Sequence, residues 1–316
     1  MIVLTGAAGF IGSNMLKYLN QNGITEIIAV DSIYEAENWK LLRGTVFYDY
    51  IDKEDLFTYL DKESVSIELI IHLGACSNTT EKNFNFLLEN NYEYSKKLFE
   101  YSNKNNIPFL YASSAATYGN GEEGFSDSTD PRNLLPLNRY GYLKNLFDQY
   151  VLNSQHKNKV VGFKFFNVYG PGEEYKGNMA SVIFKKYNEI KSGCQPTLFK
   201  SHLADIADGE QLRDFIYIDD VCKVIYYFMT NTDYSGIINV GTGKAKTFNK
   251  AINSLLNSLG VSSSISYIDF PTELEKQYQS FTQADIRELR TQNYVEDFIN
   301  LEEGIEKYVR YLEEEE

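Results

Sequence analysis

Short apolar runs rich in β-branched residues alternate with longer amphipathic stretches through the first half of the chain. Strands of a parallel sheet are buried on both faces, so they read as continuous apolar runs, and helices connect them. The pattern therefore predicts an α/β fold built on a parallel sheet. The predicted strands lie near residues 2–5, 26–31, 45–48, 67–73, 107–113 and 159–166.

Polar residues and glycines mark where the predicted helices begin and end. The first helix is predicted from about Phe10 to Asn22, with Gly23 as its end. A later helix is predicted to begin near Thr80, within the polar run Thr79-Thr80-Glu81. These boundaries place both helices between strands of the predicted sheet.

The alternation loosens after Pro171, which indicates a smaller α/β lobe in the second half of the chain. Residues 237–250 read as a last strand that returns to the main sheet, followed by a helix. We predict a main domain over residues 1–170 and about 215–250, and a smaller lobe over residues 171–214 and 251–316. The other elements expected here are helices near 179–192 and 219–231, a loop over 196–210, and the short apolar pair 266–269 and 286–289.

Composition excludes several function classes. Of the 316 residues, 43% are hydrophobic and 23% charged, and the formal net charge is −14. Nucleic-acid binding is disfavoured because it depends on cations that displace the counterions of phosphates. No apolar run approaches membrane-spanning length, and the chain opens on an apolar strand without a basic leader. We therefore expect a cytoplasmic protein with neither a membrane nor a nucleic-acid partner.

The three cysteines, Cys76, Cys194 and Cys222, form no CxxC pair, and any disulfide scheme leaves one of them unpaired. This usage suits a reducing compartment, so we interpret all three as small core residues. We also predict no metal site.

A glycine-rich turn, Thr5-Gly6-Ala7-Ala8-Gly9-Phe10-Ile11-Gly12, follows the first strand and opens the first helix. The spacing of Gly6, Gly9 and Gly12 permits a tight turn, a close approach of the backbone to a pyrophosphate, and close packing of helix on strand. Asp31 closes the second strand, where a carboxylate accepts from the ribose hydroxyls of adenosine. The combination predicts a Rossmann-type, doubly wound sheet that binds a dinucleotide, rather than a turn without a ligand.

The choice between NAD and NADP stays open from these residues. Asp31 alone favours NAD because its charge repels a 2′-phosphate, whereas Ser32, Lys40, Arg43 and Lys53 offer groups that bind one.

A small-residue turn, Gly74-Ala75-Cys76-Ser77, follows the fourth strand. It lies at the edge of the sheet where ligands bind in open α/β folds, so we predict that it lines the dinucleotide. His72 has apolar neighbours in that strand, and we interpret it as a packed residue rather than a base.

Tyr140 and Lys144 stand at i and i+4 and are predicted to share one face of a helix. An ammonium group lowers the pKa of a nearby phenol, which would let Tyr140 take a hydroxyl proton as hydride leaves the carbon. Ser114 ends the fifth strand and can share that proton. The pairs Tyr92/Lys96 and Tyr187/Lys191 have the same spacing without such a neighbour, so we interpret them as ordinary helix residues.

The motifs GxxGxxG, SSAATYG and YGYLK together resemble the extended short-chain dehydrogenase/reductase superfamily along essentially the whole chain. Within it, longer stretches resemble the ADP-L-glycero-D-manno-heptose 6-epimerase family. These stretches are HLGACSNTTE, ENNYEYSK, PFLYASSAATYG, FNVYGPGEEYKGNMAS, RDFIYIDDV and YQSFTQAD.

This resemblance implies an isomerase that inverts C6 of an ADP-heptose by transient oxidation, for synthesis of the heptose precursor of the lipopolysaccharide core. The implied cofactor is NADP, with NAD as the alternative, and it is not consumed. The main domain would bind the dinucleotide and the smaller lobe the nucleotide-sugar. A homo-oligomer, such as a homopentamer, is also implied.

The resemblance also implies roles for individual residues. Tyr140 and Lys176 would be the acid/base pair, and Lys144 would hold the nicotinamide ribose. Asn38 stands where the family has a cofactor-contacting lysine, unless Lys40 substitutes for it, and Lys185 stands where the family has a histidine. The residues implied to contact the dinucleotide are Phe10, Ile11, Asp31, Ser32, Lys53, Gly74, Ala75, Cys76, Ser77, Asn90, Val168 and Lys176, and those implied to hold the sugar nucleotide are Ser114, Asn167, Asn178, Lys185, Phe199, Arg213 and Tyr278.

Other activities of the same superfamily are alternatives: a UDP-hexose 4-epimerase, a sugar-nucleotide 4,6-dehydratase or a one-way reductase. The dehydratase is disfavoured because Ala115, Ala116 and Thr117 stand where elimination needs acidic and basic groups. A dinucleotide sensor without catalysis is a further alternative, and the retained Tyr140/Lys144 pair disfavours it.

Overall fold

The computed structural model describes residues 1–33, 36–62, 66–272, 275 and 278–315. Seven parallel strands form the main sheet of this part of the chain: β1 (Ile2–Thr5), β2 (Ile27–Asp31), β3 (Asp49–Asp52), β4 (Leu69–His72), β5 (Phe109–Ser114), β6 (Val160–Phe165) and β11 (Gly236–Val240). They lie in the order β11-β6-β5-β4-β1-β2-β3, which confirms the predicted doubly wound α/β fold and the return of the late strand to the sheet.

Helices cover the sheet, and short strands pair outside it. The helices are α1 (Phe10–Gln21), α2 (Leu56–Lys62), α3 (Phe84–Leu87), α4 (Tyr94–Lys104), α5 (Arg139–Asn153), α6 (Val182–Lys191), α7 (Ile218–Thr230), α8 (Phe248–Leu259), α9 (Arg287–Thr291) and α10 (Leu301–Glu315). The short strands are β7 (Asn167–Tyr169), β8 (Thr197–Phe199), β9 (Leu212–Arg213), β10 (Phe215–Tyr217), β12 (Lys246–Thr247) and β13 (Ser266–Ile268), paired as β7–β10, β8–β13 and β9–β12.

Alternate residues of each buried strand enter cores on opposite faces of the sheet. In β1, Leu4 belongs to the core that includes Met15 of α1 and Val221 of α7. Its neighbour Val3 belongs to the other core, which includes Phe99 of α4 and Phe147 of α5. Burial on both faces is the physical reason that these strands read as continuous apolar runs.

The third strand was predicted at 45–48, and this prediction is wrong, because β3 begins at Asp49. The side chain of Asn20 forms hydrogen bonds with the backbone groups of Val46, which a strand at 45–48 would have used to pair with β2. Its Oδ1 accepts from the Val46 N–H at 2.7 Å, and its Nδ2 donates to the Val46 carbonyl at 2.8 Å. Pairing with β2 therefore starts three residues later, where Asp49 lies opposite Ile28.

The helix predicted to begin near Thr80 begins at Phe84 instead. Asn78 Oδ1 accepts from the Thr80 N–H at 2.9 Å and keeps that segment in a turn, while Asn83 Oδ1 accepts from the Phe86 N–H and caps the helix. Asn83, rather than Thr79 or Thr80, is therefore the N-cap residue of this helix.

Two further predictions in the second half need correction. The loop expected over 196–210 contains β8, which pairs with β13. The apolar segment 286–289 is not a partner of 266–269: helix α9 begins at Arg287, whose N–H donates to Asp285 Oδ1 at 3.1 Å.

The interpretation of the three cysteines as core residues is confirmed for Cys222 and wrong for Cys76 and Cys194. Cys222 is buried, Cys76 is half-buried at the wall of a cavity, and Cys194 is exposed.

None of the helices among the described residues has the length and apolar character needed to cross a bilayer.

Candidate active site

Two glycine turns meet between the ends of β1 and β4, where the order of the strands reverses. Gly6 has a φ of +71°, and a Cβ there would lie 2.6 Å from the Gly74 backbone nitrogen. A Cβ on Gly12 would lie 1.9 Å from the Gly6 carbonyl oxygen. Gly9 precedes α1 without a side-chain cap, so the N-terminal N–H groups of that helix are available to an anion.

A cavity of about 980 Å³ opens at this edge of the sheet, at the large end of the range for ligand sites. It reaches from the glycine turn past the end of β5 to the segment after β7. The predicted site residues that line it are Gly6, Gly9, Phe10, Ile11, Gly12, Asp31, Gly74, Ala75, Cys76, Ser77, Ser114, Tyr140, Lys144, Asn167, Val168, Lys176 and Asn178.

The other predicted site residues do not line this cavity: Ser32, Lys53, Asn90, Lys185, Phe199, Arg213 and Tyr278. Two of them, Ser32 and Lys185, form hydrogen bonds with residues that line the cavity. The Ser32 N–H donates to Asp31 Oδ1 at 2.7 Å, and Lys185 Nζ donates to the Asn178 carbonyl at 2.7 Å. Lys53 and Asn90 contact each other, with Nζ donating to Oδ1 at 2.6 Å.

Arg213 contacts two aromatic rings and does not line the cavity. Its guanidinium is 4.8 Å from the ring centre of Tyr278 and 5.4 Å from that of Phe248, and Phe248 itself lines the cavity. Burial lowers the pKa of Arg213, while Tyr278 opposes that change. Phe199 packs on Phe270, with ring centres 5.3 Å apart. No motif in the sequence pointed to Phe248, which lines the cavity and contacts Arg213.

Tyr140 enters the cavity from the first turn of α5. Asn138 caps this helix, with its Oδ1 accepting from the Gly141 N–H at 2.8 Å. Burial raises the pKa of the Tyr140 phenol, and a hydrogen bond with Ser114 opposes the rise. The net shift of the Tyr140 pKa is therefore upward, opposite to the lowering expected from the spacing of Tyr140 and Lys144.

Lys144 is buried one turn further along α5. Its side chain is only 4% exposed, and Nζ donates to the Ala112 carbonyl at 2.8 Å. Burial lowers its pKa to about 8, and the nearby Asp148 carboxylate opposes that shift. The amine is therefore held in place by the backbone of β5, beside the end of the strand that carries Ser114.

A buried polar network lies behind the tyrosine and lysine. Asp148 accepts from the Ser113 hydroxyl at 2.8 Å and the Tyr111 hydroxyl at 3.1 Å, and forms an ion pair with Lys164 at 3.1 Å. Lys164 also donates to the Thr117 hydroxyl at 2.6 Å. Every member is almost fully buried, so the network fixes the spacing of α5, β5 and β6.

Lys176 lies in a 3₁₀ segment, Glu173–Met179, that follows β7. Glu173 is fully buried and anchors this segment: it accepts from the Gly170 N–H at 3.2 Å and the Ser181 hydroxyl at 2.8 Å. Burial lowers the pKa of Lys176, Glu173 opposes the shift, and the charge of Lys185 adds to it. The ammonium lies 5.3 Å from the ring centre of Phe10, close to the glycine turn.

Sequence reasoning missed three residues that position the site: Asp148, Glu173 and Asn91. Asn91 is fully buried in a π-helical segment, Leu88–Glu93, and holds Cys76 on both sides. The Cys76 N–H donates to its Oδ1 at 2.8 Å, and its Nδ2 donates to the Cys76 carbonyl at 2.9 Å. Asp148 was detectable, because it follows Lys144 at i+4 on the same helix face, whereas Glu173 and Asn91 carry no local signal.

The interpretation of His72 as a packed strand residue is confirmed. Its Nδ1 shares a hydrogen bond with the Thr5 hydroxyl at 2.7 Å, and its Nε2 shares one with the Ser95 hydroxyl at 2.8 Å. Burial lowers its pKa to about 3, so it stays neutral.

Comparison with known proteins places the chain in a family. The NAD dependent epimerase/dehydratase family matches residues 2–241. A Fusobacterium nucleatum protein named ADP-L-glycero-D-manno-heptose-6-epimerase is 42% identical, over 100% of this chain and 99% of its own. A crystal structure of ADP-L-glycero-D-manno-heptose-6-epimerase from Helicobacter pylori has a TM-score of 0.84 at 30% identity, with 99% of this chain and 96% of that one covered. A UDP-N-acetylglucosamine 4-epimerase from Methanobrevibacter ruminantium reaches a TM-score of 0.86 at 26% identity, with 100% and 98% covered. The chain therefore belongs to the NAD dependent epimerase/dehydratase family.

Proposed function

We propose that this chain is an ADP-L-glycero-D-manno-heptose 6-epimerase, which interconverts the D-glycero and L-glycero forms of ADP-manno-heptose. The observation that carries the proposal is that one cavity holds the glycine turn, Tyr140 with Ser114, and Lys176. The full-length identity of 42% to a relative of that name supports it. Fold alone does not choose the sugar, because the 4-epimerase structure matches as well at only 26% identity.

The residues present fit a nicotinamide dinucleotide. The absence of a Cβ at Gly6 and Gly12 lets the turn pack directly against the Gly74 backbone and the start of α1. The N-terminus of α1, which has no side-chain cap, suits a pyrophosphate. Asp31 at the cavity wall would accept from the adenosine ribose, and Lys144 would hold the nicotinamide ribose. The cofactor class is therefore a nicotinamide dinucleotide.

A bound nicotinamide dinucleotide would supply the reversible hydride transfer that oxidation and reduction at C6 of the heptose require. The chain itself must move the hydroxyl proton, and inversion of a carbon outside the ring requires proton transfer on two sides as the aldehyde rotates. Tyr140 with Ser114 would serve one side, and Lys176 would serve the other. Burial raises the pKa of Tyr140 and lowers that of Lys176, which moves the two groups toward opposite roles, one donating and one accepting.

The two-base scheme predicts that Tyr140→Phe combined with Lys176→Met abolishes epimerisation while the dinucleotide stays bound. Removal of general acid–base groups typically lowers turnover about 10²- to 10⁴-fold per group. Turnover is measured by NMR of ADP-heptose, and cofactor retention by mass analysis of the ligand released from purified protein. The matched control is Tyr92→Phe with Lys96→Met, which makes the same two substitutions at residues that do not line the cavity. Epimerisation at the wild-type rate by the first double variant would refute the scheme.

A panel of ADP-heptose, UDP-glucose and dTDP-glucose separates the proposal from its alternatives. Conversion of UDP-glucose but not ADP-heptose would identify a 4-epimerase. Stoichiometric consumption of added cofactor would identify a reductase, and tight cofactor binding without turnover of any sugar would identify a sensor.

A further inference from the structure

We infer that the dinucleotide site prefers NAD to NADP, and that Asp31 together with the neutral side chain of Asn38 sets this preference. The inference rests on the proposed function for the presence of a dinucleotide, and it differs from the NADP that the family resemblance implies. It concerns the end of the cavity formed by the end of β2 and the 3₁₀ segment Glu37–Leu42.

Asp31 is fixed as an acceptor at this end of the cavity. Its Oδ2 accepts from the Ala8 N–H at 2.7 Å, and its Oδ1 accepts from the Ser32 N–H at 2.7 Å. These two bonds hold the carboxylate at the cavity wall, and its remaining lone pairs can accept from ribose hydroxyls. A 2′-phosphate has acceptor oxygens and a negative charge of its own, so it would meet the carboxylate with repulsion and without a hydrogen bond.

The donors near Asp31 are already engaged. The Ser32 N–H is bonded to Asp31 itself, and the Ser32 hydroxyl faces Asp52 Oδ2 at 3.5 Å. Asn38 lines the cavity, but its Nδ2 donates to the Ala8 carbonyl at 3.2 Å. The protein therefore offers acceptors here, which match hydroxyl groups rather than a phosphate.

The cations near this end lie outside the cavity wall and are engaged elsewhere; the Arg43 Nε, for example, donates to the Lys40 carbonyl at 3.3 Å. Lys40 forms an ion pair with Glu37, and Glu37 lines the cavity. Lys53 donates to Asn90 at 2.6 Å and lies 3.5 Å from Glu54. Among the described residues, the charged groups that line this end are therefore the Asp31 and Glu37 carboxylates, and a phosphate would find no facing cation.

The test is the affinity of dinucleotide-free protein for NADH and NADPH, measured from the fluorescence of the bound nicotinamide in the absence of any sugar. We expect NADH to bind about tenfold more tightly or better, which corresponds to roughly 1.4 kcal/mol. Asn38→Lys places a cation at the wall, and we expect it to tighten NADPH binding about tenfold or more with little change for NADH. Asn22→Lys is the control, because it adds the same charge at an exposed residue beyond the other end of α1.

The outcomes separate this inference from the proposed function. A wild-type protein that binds NADPH as tightly as NADH, or more tightly, overturns the inference even if it epimerises ADP-heptose. A protein that prefers NADH but converts no sugar supports the inference and removes the proposed function. Binding of neither dinucleotide overturns both. An unchanged NADPH affinity in Asn38→Lys would overturn the role given to Asn38, and mass analysis of the ligand that copurifies gives an independent reading of the preference.

Discussion

Replacement of Lys144 by methionine should stabilise the protein at neutral pH although it removes a proposed active-site residue. The lysine side chain is 4% exposed, and burial lowers its pKa from the ordinary 10.5 to about 8. Folding therefore moves an ammonium group out of water with only partial compensation from Asp148. A methionine of similar length would occupy the same space without a charge.

The size of the effect follows from proton linkage. Below pH 8 the lysine is protonated in both the folded and the unfolded chain, and the pKa difference between 10.5 and about 8 corresponds to roughly 3 kcal/mol of destabilisation at pH 7. As the pH rises from 8 to 10.5, the folded protein releases this proton before the unfolded chain does, so the destabilisation disappears. The variant also loses the hydrogen bond to the Ala112 carbonyl, worth about 1 kcal/mol. A net gain of about 2 kcal/mol is expected at pH 7 and none by pH 10.

The assay is urea unfolding of dinucleotide-free wild type and Lys144→Met at several pH values between 7 and 10. Lys104→Met, the same substitution at an exposed residue near the end of α4, serves as the control. Titrations shared by both proteins cancel in the difference between them. A difference in unfolding free energy that is the same at pH 7 and pH 10, or a wild type that is the more stable at pH 7, would show that Lys144 is not desolvated as described.

Two further substitutions test the scaffold of the site. Gly12→Ala places a Cβ 1.9 Å from the Gly6 carbonyl oxygen, so we expect loss of dinucleotide binding and about 1–3 kcal/mol of destabilisation, measured by fluorescence titration and urea unfolding. Gln21→Ala, at an exposed position of the same helix, is the control, and dinucleotide binding by Gly12→Ala at wild-type affinity would contradict the argument. Lys164→Met leaves Asp148 as an unpaired buried carboxylate, and we expect about 3–5 kcal/mol of destabilisation in the same unfolding assay. A loss below about 1 kcal/mol, the size found for surface ion pairs, would show that the Asp148–Lys164 pair is not held in a dry interior.

Local signals in the sequence were enough to place most of the sheet and to put Tyr140 and Lys144 on one helix. The glycine turn and the pairing of Tyr140 with Lys144 depend on residues only a few positions apart, so their spacing carries the structure directly. The buried strands were readable because burial on both faces leaves a continuous apolar run. The boundaries that were misplaced depend on side-chain hydrogen bonds instead: Asn20 delays β3, and Asn83 sets the start of α3.

The surroundings of individual site residues depend on contacts between distant parts of the chain, and the spacing of residues along the sequence does not predict such contacts. Asp148 and Lys164 meet because α5 packs on β5 and β6. Arg213 contacts Phe248 because β9 pairs with β12, the strand that leads directly into α8. The pKa of Tyr140 likewise depends on residues that are distant in the sequence, because burial is the main cause of its shift. The sequence by itself determined that a phenol and an amine share a helix face, whereas the tertiary structure decided that burial raises the pKa of the phenol and turns the amine toward the Ala112 carbonyl. The difference arises because helix periodicity is local, while desolvation depends on everything packed around a group.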